Sequence, residues 1–542
     1  MNLKNQNGYA LLNVVLIFTI VTIFGISLIG MTLSSQKFTA YSESYTENLA
    51  IAEMKMDESM IRLETKLNQF NNEMNLNQIS GEVLKSELEA NIKSLNLSSE
   101  DIKFEPKNIR TNTSSDNRFS EMVTIKVQIG ESDRYLTKTV TITSAADIFR
   151  FSTVTEGKLT FNGAASIMGD VFADNGIYLS KYAKFIKGDI YMPLSDYPVI
   201  EGNITVKKAT SLGMKFFEGK EPIWHPVNDI ATLQTYLTNK PTMKDRSVQF
   251  NQFNISTIVN DKKKEYNKDI RNINHATEDS YLNSSRIINQ STKFYNLLYL
   301  DKSLEVKGNL FLENGLIMTS KGRLKVSGNV YIKENRNWRN YLSGTISMNN
   351  EENFIYIDGD ATITDLTVNS HLYSQGNVDI KQNLNMNGTI FVFGESTIEN
   401  LSNQSGGTAV ILSKGNLTVA NNNLYEKNAR QIDAFLYSDQ DLEIYGVGSN
   451  IKINGGIYGK NITLNATKGE TYPTTGYSSY NPNLNTSNFN SIGGLYIEKN
   501  QHNPNLPSRL QIEFKPELIQ NPPVGLPTVD KLQITEIDQK IE

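Results

Sequence analysis

Two short stretches place carboxylates close enough to act together: Asp358-Gly-Asp360 and Asp439-Gln-Asp441. On a strand, residues two apart share a face, so each pair could bind Ca²⁺ or supply the acid and base of a glycosidase. The competing reading is structural. Asp358-Gly-Asp360 lies inside a recurring turn motif, where an acid can fill the place that Asn takes elsewhere in the chain. The histidines, His225, His275, His371 and His502, stand far apart with no metal-ligand spacing. There is no cysteine, no His-Glu-x-x-His, no Gly-x-Ser-x-Gly elbow and no phosphate loop. Zinc chemistry, acyl transfer and nucleotide hydrolysis therefore have no motif here, and no cofactor is expected. Tyr178, Phe311, Tyr331 and Phe391 could stack on sugar rings, but they fall in strand patterns where packing into a core is the commoner role.

The elements that would position these groups follow from periodicity. Behind a glycine, short apolar alternations recur: GDVF at Gly169, GDIY at Gly188, GNITV at Gly202, GNLFL at Gly308, GNVYI at Gly328, GDATI at Gly359, GNVDI at Gly376, GTIFV at Gly388 and GNLTV at Gly415. Gly169 to Gly188, Gly308 to Gly328 and Gly359 to Gly376 are separated by 19, 20 and 17 residues, close to one coil of a right-handed parallel β-helix. Glycine suits the corner, Asn or Asp bonds the neighbouring backbone, and alternate aliphatic residues fill a stacked core. This places Val330 and Ile332 inside and Tyr331 outside, where Asp in place of Tyr331 is expected to be tolerated. An antiparallel sandwich is the alternative. The solenoid is expected over 149–212 and 301–466, with an insertion at 213–300 that forms one wall of a groove. The insertion holds Trp224-His225-Pro226, a short helix at Asp229 to Leu237, and the run Asp261-Lys-Lys-Lys-Glu265, read as a solvated loop.

The N-terminal part is different. From Tyr9 to Leu33 there are 25 residues without a charge, enough to cross a bilayer and longer than the apolar region of an export signal. Asn13 is the one strongly polar side chain inside. Lys4 precedes the span, which orients the N-terminus to the cytoplasm and exports the rest. Beyond Leu33 an apolar stripe from Phe38 through Tyr45, Ala52, Met60 and Leu67 to Met74 averages 3.6 residues per step, the period of a straight helix lying on its own domain. A dimeric stalk is the alternative. Residues 79–95 read as a second amphipathic helix, and Met122 to Thr143 alternates across Gly130 to Asp133 as a hairpin with one buried face.

The first residues carry a resemblance. A polar leader ends at Gly8, Tyr9 follows, and the helix opens Ala10-Leu11-Leu12. This resembles the class III signal of type IV pilins and pseudopilins, above all the PilX-like minor pilins. The segment Asn521-Pro522-Pro523 with Gly525, Leu526 and Pro527 resembles the C-terminal ending of PilX-like surface proteins. The resemblance implies cleavage by a prepilin peptidase after Gly8, a methylated Tyr9, and assembly with other pilins or pseudopilins in a surface filament. Asn13 departs from major pilins, which have Glu at the fifth mature position; minor pilins of this group often lack it.

The resulting organisation is a leader at 1–8, a transmembrane helix at 9–33, a pilin-like stalk with a small α+β domain at 34–148, the solenoid with its insertion, and a C-terminal cap and extended tail at 467–542. With 53 basic and 58 acidic side chains, the chain has no basic field for nucleic acid. The expected function is adhesion, filament assembly or binding of a surface polysaccharide from the cytoplasmic membrane. The alternative is a polysaccharide lyase or glycoside hydrolase on the same scaffold.

Overall fold

The computed structural model describes residues 6–73, 81–95, 102–107, 119–131, 133–183, 196–206, 213–218, 221–227, 229–237, 239, 241–245, 253–335, 337–350, 352–403, 407–474, 496–501 and 503–542. Helix α1 (Gln6–Glu73) is continuous from the leader to the head domain. Its first half is apolar and exposed, and it is the one helix among the described residues long and apolar enough to cross a membrane. Its second half lays Ala52, Met56, Met60, Leu63, Leu67 and Phe70 on the head. The stripe positions nearer the apolar half, Phe38 and Tyr41, remain exposed, because the head begins beyond them.

The head is a four-stranded antiparallel sheet under α1 and α2 (Gly81–Leu95). Its strands are β1 (Ile102–Lys107), β2 (Ser120–Gln128), β3 (Tyr135–Ala145) and, beside β3, the C-terminal strand Thr528–Ile541. The β2 to β3 hairpin has the expected register, Val127 opposite Leu136. Alternation turns Val123, Ile125, Val127, Val140 and Ile142 inward to the helices. The last strand was expected as an extended tail. It instead returns and pairs with β3, Ile142 opposite Ile534.

The remainder is a parallel β-solenoid of about 13 turns. Its three sides are ladders of in-register strands, so the antiparallel sandwich does not occur. Leu310, Val330, Ile355 and Leu372 stack in one such ladder and point into the core. Gly169 turns a corner at φ +129, a conformation in which an L side chain is strained. Gly328 is needed for a different reason: a Cβ there would lie 2.1 Å from Asn309 Oδ1 of the preceding coil. Gly388 departs from the expected corner role, since it begins the strand Gly388–Val392. Gly188 lies outside the described residues.

Stack order differs from chain order. After β3 the chain enters at Thr153–Thr155 and stacks outward through Val171–Ala173 and Ile204–Val206 to Met243–Asp245. The short helix α3 (Ile230–Gln234), capped by Asp229, packs Leu233 on that end. Helix α4 (Ile255–Asp269) then carries the chain back along the outside to Ala276–Thr277, where the second series of coils begins. That series ends at Ile451–Ala466, whose residues pair in parallel with the first series, Ile457 with Thr153 and Ile462 with Leu159. Coils therefore occur from residue 276, inside the segment expected as an insertion. The lysine run is helix, not loop. On the third side of the joining coil, Leu510–Phe514 is wedged between Ile451–Gly455 and Ser166–Met168. One coil is thus assembled from two remote segments, and both lead into the head sheet.

Candidate binding surface

The first side of the rod carries an outward aromatic ladder. Phe311, Tyr331 and Tyr356 are successive register partners, as are Tyr356, Tyr373 and Phe391. All are buried, because α4 lies across them. Tyr266 of α4 packs on Phe311, Tyr331 and Tyr356, and the Lys262 ammonium sits 4.3 Å from the Phe354 ring centre. Lys263 pairs with Asp358 at 3.2 Å. Desolvation raises the pKa of the Tyr331 hydroxyl, and its bond to Asp269 adds to the shift. Farther along, Thr389 Oγ1 donates to Val524 O at 2.8 Å, and Leu526 joins the same cluster, so the proline-rich segment is packed on the rod. Phe311, Tyr331 and Phe391 are therefore core, and Tyr331 is outward-facing yet covered. The tolerance expected for Asp at position 331 does not follow.

The carboxylate pairs are engaged in the framework. Asp360 Oδ1 accepts the Asn377 N–H at 2.7 Å, and Asp358 accepts from Lys263. Asp439 accepts the Tyr437 hydroxyl at 2.5 Å, and burial raises its pKa. Asp441 Oδ1 accepts from Asn461 Nδ2 at 2.9 Å. His371 is buried beside Phe354 and Tyr373, and His275 Nδ1 lies 2.6 Å from Thr292 Oγ1. His225 is in the hairpin Gly213–Glu218 with Glu221–Pro226, and His502 is outside the described residues. Among the described residues, no three His, Cys, Asp or Glu side chains converge as a metal site would require.

What stays open is the second side. There Tyr281 bridges to Tyr299, Tyr299 is in register with Ile317, and Ile317 with Tyr341. Tyr281, Tyr299 and Tyr341 are 46%, 41% and 39% exposed, and Trp338, at the corner leading into the same side, is 61% exposed. Tyr299 and Tyr341 are on the outer parity of alternations whose neighbours, Leu298, Leu300 and Leu342, fill the core. The column continues as Thr362 and Asp379, then Thr397 and Thr418. Sequence reasoning passed over these tyrosines. Their alternation, Leu-Tyr-Leu at 298–300, matches that of Phe311, and only the absence of an overlying helix separates the two. Tyr178 belongs to this side too, far along it, edge-on to Trp224.

No known family, curated protein or solved structure matches the chain. The surface is therefore interpreted from its own chemistry. Gly8 and Tyr9 lie within α1, and Asn13 is exposed among Leu11, Leu12, Val14 and Val15.

Proposed function

We propose that this chain is a single-pass, pilin-like surface protein. Its N-terminus would face the cytoplasm, its head and solenoid would be exported, and its role would be adhesion or binding, with incorporation in a type IV pilus or pseudopilus. The observation that carries the reading is the continuity of α1, which runs from an exposed apolar span straight into the core of the head. The head is joined to the rod by two chain segments, through Thr153–Thr155 and Leu510–Phe514. A rod held in this way suits a surface-presenting role better than a free-swinging domain does. Prepilin peptidase and other pilins are the partners implied.

The test compares cells making the full chain with cells making a chain that lacks Tyr9 to Leu33 but is exported by another signal. Loss of adhesion or filament formation in the second supports the reading; full activity without the span removes its filament part. The full chain should also leave polygalacturonate intact with or without Ca²⁺. Ca²⁺-dependent cleavage that disappears in Asp439→Ala or Asp441→Ala would replace this reading with the lyase alternative.

A further inference from the structure

We infer that the second side of the solenoid, from Tyr281 along the rod to Thr397, binds a linear, uncharged glycan laid across successive coils. This rests on the surface-binding reading above and names the class of ligand. On the first side, α4 and the segment around Val524 to Leu526 seal the aromatic ladder, so it offers no rings to a ligand. On the third side, the outward column runs Ile287, Glu305, Lys325 and Ser347, with Glu305 and Lys325 ion-paired at 3.2 Å. Neighbouring exposed aromatics in register are found on the second side.

The chemistry of that column selects the ligand. Aromatic rings accept the C–H faces of a pyranose, and a rigid tyrosine loses little entropy on binding. Tyr281 and Tyr299 are stacked with ring centres 5.8 Å apart, so they form one ledge, and Tyr341 and Trp338 present separate ring surface farther on. The threonines at 362 and 397 then offer hydroxyls to an equatorial sugar hydroxyl. Successive coils repeat every ~4.8 Å along the rod, so the column meets an extended polymer at regular contacts and sets no end-stop.

Three charge pairs flank the rings of the column. Arg339 pairs with Asp379 at 2.7 Å and donates to Asn377 O. Asp301 accepts the Tyr281 hydroxyl at 3.0 Å and has Lys302 at 3.8 Å. Asp279 pairs with Arg286. A polyuronate would need an unmatched cation, and a cationic polymer an unmatched acid; a neutral sugar needs neither. A second copy of the chain fits less well. Four rings, about half exposed and of roughly 200 Å² each, leave on the order of 400 Å², below the ~800 Å² per partner of a stable protein interface.

The test titrates the full chain, held in detergent micelles, with cellohexaose, chitohexaose, cellobiose and hexagalacturonate by calorimetry. At least one neutral hexasaccharide should bind, at least tenfold more tightly than cellobiose. The variant Tyr299→Ala/Trp338→Ala/Tyr341→Ala should weaken that binding at least tenfold, and Thr362→Val/Thr397→Val about threefold, with the thermal unfolding midpoint unchanged in both. If the triple variant unfolds early, Trp338→Ala alone, at the exposed corner, serves instead and should weaken binding severalfold. Failure of both neutral hexasaccharides to bind, preference for hexagalacturonate, or unchanged affinity in the variants overturns the proposal. So does a dimer of the wild-type chain that these variants dissociate. If cells carrying the triple variant adhere normally while cells lacking the span do not, the glycan site is wrong and the surface-binding reading stands. If neither change affects adhesion, the surface-binding reading itself fails, whatever the calorimetry shows.

Discussion

The Tyr331 hydroxyl donates to Asp269 Oδ2 at 2.7 Å, joining the outer face of a coil to the last turn of α4. Asp269 also accepts from Asn309 Nδ2 at 3.0 Å, so one carboxylate ties the helix to two coils. Tyr331→Phe should cost about 1 kcal/mol, the net worth of one such bond. Tyr331→Asp should cost several times as much, since it buries a charge facing Asp269 and removes ring contacts with Phe311 and Tyr266. Val330→Asp and Ile332→Asp should be at least as damaging, because both point into the solenoid core. Urea unfolding of the four variants orders them; a benign Tyr331→Asp would mean that α4 is not seated on the ladder.

A second test addresses the coil built from two remote segments. Arg509, just before the wedged strand, is 3% exposed and donates to Ser449 O at 2.8 Å, Gly448 O at 3.0 Å and Gly469 O at 3.4 Å. Burial lowers its pKa to about 10, with Glu470 acting in the opposite direction. Arg509→Met keeps the bulk but strands these carbonyls, at an expected cost of ~3 kcal/mol. Because Leu510–Phe514 leads on to the strand beside β3, both head and solenoid should loosen together. Hydrogen exchange would then rise in Val140 to Thr143 as well as in Ile451 to Gly455. A rise confined to the solenoid would show that the two joints act independently.

The solenoid was legible in the sequence because Gly-Asn and Gly-Asp pairs mark corners with a steric demand, as at Gly328 against Asn309. Stack order was not legible. Parallel pairing between Ile457 and Thr153 joins residues far apart in the chain, and nothing in either strand's own pattern names its neighbour. Coils at Arg286–Ile288 and Leu298–Leu300 lack the glycine-led motif: Ser291 Oγ bonds Asn309 N at 2.9 Å there. The candidate site shares this limit. Tyr299 and Phe311 have the same local alternation, and their different fates depend on where α4 comes to rest.

A third prediction concerns pH. Glu121, on β2, is 2% exposed beneath the helices, and neither carboxylate oxygen has a hydrogen-bond partner among the described residues. Desolvation raises its pKa to about 7 from 4.5, and Glu89 adds to the rise while Lys85 and Lys93 oppose it. The unfolded chain thus loses this proton near pH 4.5, and the folded chain holds it to about pH 7. The contribution to stability is therefore fully present below pH 4.5 and falls as pH rises, with the loss complete above pH 7. Discounted for solvent screening, the loss is about 2 kcal/mol or less. Thermal unfolding at pH 5 and pH 8 should show a larger decline for the wild type than for Glu121→Gln. Equal declines in the two proteins would place the proton elsewhere.

The last prediction returns to the N-terminus. In the uncut chain, α1 runs from Gln6 through Gly8 and Tyr9 without a break, and the span beyond Leu11 presents its side chains outward. A peptidase of the prepilin type must therefore reach a bond at the membrane-proximal start of this helix, where glycine, with the poorest helix propensity of any residue but proline, eases local unwinding. Gly8→Arg adds bulk and a charge next to the scissile bond and should leave the chain uncut, while Gly8→Ala, a small but better helix former, should slow cutting by a smaller factor. The wild-type mature protein should begin at Tyr9. Intact-mass measurement on the membrane fraction distinguishes the outcomes: wild type lacking its first eight residues and Gly8→Arg retaining them supports processing. Wild type that retains Met1 would reduce α1 to a plain anchor, leaving the head, the solenoid and its glycan face to be judged on the tests above.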